Sequence, residues 1–184
     1  MRFLIIAAAL ALGACNREPE AQQGAATGCY AAAFSQWMAA SDVVFEIEGA
    51  ARGVTCAEAE ATLRIAHSGG AAVVEERYAA AQLASLAGAE SLEDMQRMLQ
   101  EWITPAGAAP DSTGDLPEWG ANDAQPISGE FPFYVEDGVS RERYQALRGE
   151  DAPMYCYVQG MESMACLAWS GGGVVRIGVQ TFPG

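Results

Sequence analysis

Residues 29–53 read CYAAAFSQWMAASDVVFEIEGAARG. How this stretch folds decides the architecture of everything before residue 104. Alanine is the best helix former, and five alanines stand among its first twelve residues. Tyr30, Phe34, Trp37 and Met38 recur at i, i+4, i+7 and i+8, the stripe of an amphipathic helix. The pattern therefore predicts a helix over about 29–40. Ser41-Asp42 then predicts a reversal, with Val43–Glu48 returning as a short helix or strand. The reversal is needed because a single helix over 29–50 would carry the chain roughly 30 Å from Cys29.

The same reading extends onward. Thr55 and Glu58 have the spacing of a capping box, predicting a helix over about 55–67 that ends near His67, before Ser68-Gly69-Gly70. Another is expected over about 70–87, closed by Gly88. Ser91 and Asp94 cap a further one, carrying Leu92, Met95, Leu99, Trp102 and Ile103 and stopped by Pro105. Met95 and Met98 read as core filling within it, not as a soft-metal site.

Residues 105–130 form a long loop rich in proline and glycine. Trp119 is expected to anchor it to the core. The loop carries Asp111, Asp115, Glu118 and Asp123, but Leu116 stands where a calcium loop of the helix-loop-helix type needs glycine, and the twelfth position is Asn122.

Beyond Phe131 the pattern changes. Phe131–Val135 predicts a strand, placed at a sheet edge by Pro132. Ser140–Arg148 predicts a short helix closed by Gly149. Met154–Gln159, Ser163–Trp169 and Val174–Phe182 predict an antiparallel meander, with Ser170–Gly173 as its second turn. A phosphate-cradling glycine loop would need a helix there instead. Together these segments predict an α+β domain: an N-terminal helical half packed on a C-terminal antiparallel sheet of three to four strands.

The amino terminus carries a different signal. Arg2 is followed by an apolar run, Phe3–Leu12, too short to span a bilayer and matched to a secretory signal. Leu12-Gly13-Ala14-Cys15 resembles the lipobox of bacterial lipoproteins. The resemblance implies a signal peptide over 1–14, lipidation of Cys15, and Asn16 as an outer-membrane address. Residues 16–27, NREPEAQQGAAT, have no apolar side chain larger than alanine. They read as a tether with a reach of roughly 40 Å. One domain, 28–184, would then sit in the periplasm, attached to the membrane by lipid.

Export has consequences for the five cysteines. With Cys15 acylated, Cys29, Cys56, Cys156 and Cys166 remain, and an oxidising compartment favours two disulfides. In a hairpin turning through Gly160-Met161-Glu162, Gln159 faces Ser163 and Cys156 falls opposite Cys166, within bridging reach. Cys29 and Cys56 pair by elimination.

Composition excludes several chemistries. The chain carries 24 acidic and 10 basic residues, a net charge of −14. Such a surface repels nucleic acid and anionic headgroups and attracts cationic partners or metal ions, though acidity also serves solubility. All ten basic residues are arginine. Lysine-dependent phosphate loops, Schiff bases and Ser-Lys dyads are therefore absent. One histidine, His67, cannot build a multi-histidine zinc site. No motif implies a cofactor. Two functions remain. The first is a non-catalytic envelope module binding a cationic protein or a glycan. The second is a carboxylate-driven glycan hydrolase, with Glu130, Glu136 and Asp137 beside an aromatic strand as candidate acids.

Overall fold

The computed structural model describes residues 28–104, 110–126 and 131–182. Cys15, the tether and Glu130 lie outside the described residues. The fold is mostly β, which overturns the expected helical N-terminal half. The chain runs β1 (Cys29–Ala40), β2 (Val43–Gly53), β3 (Glu60–His67) and β4 (Ala72–Ala79). It continues through α1 (Leu92–Ile103), β5 (Phe133–Val135), α2 (Arg141–Glu150), β6 (Met154–Val158), β7 (Ser163–Ser170) and β8 (Gly173–Thr181). Two antiparallel four-stranded sheets result, ordered β1-β2-β3-β4 and β5-β8-β7-β6.

The physical reason lies in the faces. Along β1, Cys29, Ala31, Ala33, Trp37 and Ala39 are buried, while Tyr30, Phe34, Gln36 and Met38 are exposed. This is the period of two expected of a half-buried strand. The apolar outward residues disguise it as a helical stripe. β2 and β3 follow the same rule, with Phe45, Ile47, Ala61, Leu63 and Ile65 inward and Glu46, Arg52 and Glu60 outward. The segments expected as helices over 55–67 and 70–87 thus become β3 and β4. The capping bonds between Thr55 and Glu58 form even so, but they brace a turn and not a helix. His67 ends β3, and Ser68-Gly69-Gly70 makes the following hairpin turn.

Other expectations stand. Val43 does return along β1, with Trp37 opposite Phe45. α1 starts at the Ser91 cap, whose hydroxyl accepts from the Asp94 N–H. The edge strand β5, the short helix and the meander lie where expected. α2, however, passes through Gly149 and closes on Asp151, whose φ of 47° is left-handed. Gly171 and Gly172, at φ 63° and 80°, make the β7–β8 turn that side chains would strain.

Both expected disulfides are present. Cys29 joins Cys56 with Cα atoms 4.9 Å apart, and Cys156 joins Cys166 at 4.1 Å. The latter two residues are directly opposed in the β6–β7 register.

Two cores hold the layers together. In the first, the inner face of the β1–β4 sheet meets α1 (Met95, Leu99, Trp102, Ile103) and one face of the second sheet (Tyr155, Tyr157, Ala165, Leu167). In the second, the opposite face of that sheet packs Phe133, Met164 and Ile177 against Tyr144 and Leu147 of α2 and against Leu116. Among the described residues the second sheet is thus covered on both sides and the first on one.

Candidate functional site: the outer face of the first sheet

The uncovered face can be built row by row from the strand register. Residues opposed across β1, β2, β3 and β4 form rows perpendicular to the strands. One row is Tyr30, Arg52 and Glu60. The next is Ala32, Ala50, Thr62 and Arg77. The third is Phe34, Glu48, Arg64 and Glu75. The middle row is short-chained over three strands, so it makes a floor between two taller walls. Wall rows four residues apart along a strand stand about 13 Å from each other. The trough encloses about 320 Å³, at the low end of ligand sites, roughly 300–1,000 Å³.

The walls combine aromatic and charged groups. Tyr30 and Phe34 are 63% and 66% exposed, and Met38, further along β1, is also 66% exposed. Met38 is opposite Val44, another exposed apolar residue. Arg52 lies over the Tyr30 ring, 4.9 Å from its centroid. Arg77 contacts Glu75 at 2.9 Å and Glu60 at 3.9 Å. Glu75 holds the Arg77 guanidinium above its usual range, by hydrogen bond and then by charge. Arg64 donates to the Gly70 carbonyl. Among the described residues, Arg52 and Arg64 form no ion pair.

The exposed end of the sheet is protected as an edge but open as a face. Gln96 and Gln100 of α1 donate to the carbonyls of Ala32 and Phe34 in β1. These contacts occupy groups that would otherwise template another strand. The side chains of Tyr30, Phe34 and Met38 remain available on the other side. Sequence reasoning missed this site because it put these three residues on a buried helical stripe. An alternation count over residues 29–39 would have revealed two apolar faces.

The anticipated acids lie elsewhere. Glu136 follows β5 and pairs with Arg176 Nε at 2.9 Å. Arg176 also reaches Glu76 at 3.5 Å and donates to the Gln159 side-chain oxygen. This cluster fastens β4 of the first sheet to the second. Asp137 is exposed on the turn after β5. Glu136 and Asp137 therefore share no cleft. The carboxyls of Asp94 and Glu142 are held below the usual range, Asp94 by the Ser91 hydroxyl and Glu142 by a backbone N–H. General-acid work needs the opposite shift. Among the described residues no three His, Cys, Asp or Glu side chains converge as a metal site.

His67 is placed against aromatics. Its ring lies 4.4 Å from Phe45 and 6.0 Å from Trp169, centroid to centroid. Trp119 packs edge-on to Tyr144 at 5.6 Å and donates to the Asp123 carbonyl, anchoring the acidic loop as expected. No protein family matches this chain, and no curated protein or solved structure is significantly similar to it.

Proposed function

We propose that this protein is a lipid-anchored, non-catalytic interaction module of the bacterial envelope. Cys15 carries the lipid at the outer membrane, residues 16–27 tether the domain, and the domain works in the periplasm. It captures an envelope component on the outer face of the β1–β4 sheet. One observation carries this reading: Tyr30, Phe34 and Met38 stand about two-thirds exposed along one strand, on the sheet face that no other described residue covers. Exposed apolar groups gathered in this way mark interaction surfaces. Two disulfides suit an oxidising compartment, and the lipobox-like segment supplies the anchor.

The test is footprinting of the native protein in whole envelopes and after detergent purification. Side-chain oxidation at Tyr30, Phe34 and Met38 is expected to fall several-fold in the envelope, with Met161 as an exposed control outside the face. Equal reactivity in both settings would remove the reading. The anchor is tested separately: Cys15→Ser is expected to release the protein into the soluble periplasmic fraction.

A further inference from the structure

We infer that the trough over Ala32, Ala50 and Thr62 binds an uncharged glycan segment. The inference rests on the outer face being the docking surface and assigns its ligand class. Charge is the first argument. Three arginines (52, 64, 77) and three glutamates (48, 60, 75) belong to the same trough. An anionic ligand meets the glutamates and the field of a chain with net charge −14. A cationic ligand meets the three guanidiniums. A ligand without charge but dense in hydroxyls meets neither penalty. Its hydroxyls donate to carboxylates and accept from guanidiniums at close spacing, and charge-assisted bonds of that kind are the strong ones.

Shape and apolar character agree. Thr62 gives the floor a hydroxyl, and alanines on β1 and β2 keep it low enough for a ring to settle. At the β1 end, Tyr30 offers aromatic surface to the C–H faces of a sugar, which a purely polar trough would lack. Arg52 already holds Tyr30 from one side, which limits the ordering cost of binding.

The experiment uses the full lipidated protein in a non-glycosidic detergent. Calorimetry is run against uncharged oligomers of N-acetylglucosamine, glucose and galactose, and against oligo-arginine as the charged competitor. At least one neutral oligomer is expected to bind. Ala50→Phe fills the floor with a residue that strands accept, and is expected to weaken that binding at least about tenfold. Tyr30→Ala is expected to weaken it about fivefold. Met161→Phe, on an exposed turn away from the trough, should leave it unchanged. Circular dichroism confirms that each variant is folded. The assignment is overturned if no neutral oligomer binds, if Ala50→Phe binds as well as the parent, or if only oligo-arginine is retained and lost in Ala50→Phe. Should the glycans fail while envelope footprinting still protects Tyr30 and Phe34, the ligand class falls and the docking face survives.

Discussion

Trp37 and Trp102 allow one substitution to be made twice in contrasting settings. Both side chains belong to the same core, at 5% and 3% exposure. Trp102 donates its indole N–H to the Val158 carbonyl at 2.7 Å, joining α1 to β6. The Trp37 indole N–H is buried between Phe45 and Tyr155 without a hydrogen-bond partner among the described residues. Replacing either with phenylalanine forfeits roughly 1–2 kcal/mol of burial and packing. At Trp102 the change also strands the Val158 carbonyl, adding about 1–3 kcal/mol. At Trp37 it removes a donor whose desolvation was never compensated, returning about 1–3 kcal/mol. Trp37→Phe is therefore expected near zero, and Trp102→Phe near 3 kcal/mol destabilising. The gap, about 3 kcal/mol, corresponds to roughly 6–12 °C in Tm for a domain of this size. Urea unfolding followed by far-ultraviolet circular dichroism, disulfides intact, measures both. Equal losses, or a larger loss at Trp37, would refute the reasoning.

Further outcomes follow from the packing. Replacing Cys29 and Cys56 together by alanine should cost about 3.6 kcal/mol, and the Cys156–Cys166 pair about 2.7 kcal/mol, because loop-closure entropy grows with separations of 27 and 10 residues; urea midpoints rank them. Gly49→Ala places a Cβ 2.6 Å from the Ile103 side chain, so α1 must shift by about 1 Å at a cost of about 1–3 kcal/mol. Combined with Ile103→Ala, the two losses should sum to at least about 1 kcal/mol more than the double variant shows. Burial pushes the phenols of Tyr144, Tyr155 and Tyr157 well above their usual range, and it raises Tyr78 as well. A raised native pKa means the stability is intact below about pH 10 and declines above it, as only the unfolded state ionises. An absorbance titration should show these four tyrosines ionising together with the loss of near-ultraviolet dichroism; ionisation while the fold persists would contradict the burial.

The helical reading of the first half fails for an identifiable reason. A strand announces itself through a polar face, and β1 has Tyr30, Phe34 and Met38 there instead. Local pattern and global fold disagree at the place where the chain exposes apolar groups outside its own core. Thr55 and Glu58 show the same limit: their bonds form locally, but whether a helix follows depended on what Ala61, Leu63 and Ile65 could pack against. Glu136 looked available for chemistry because nothing local announces Arg176, forty residues away in sequence and adjacent in space.

The sequence by itself determined what rests on short range: the Ser91 cap and α1, the C-terminal meander, and the β6–β7 register with its Cys156–Cys166 pair, the Cys29–Cys56 pair being left only by elimination. Each follows from contacts within a few residues, or from counting across one turn. Tertiary structure alone decided the strand identity of the alanine-rich segments, the stacking of two sheets, and the trough. Alanine favours a helix by only about 0.7 kcal/mol or less per residue over most other residues, too little to withstand tertiary packing. Its state was set by the sheet and by α1, which needed small residues to approach closely.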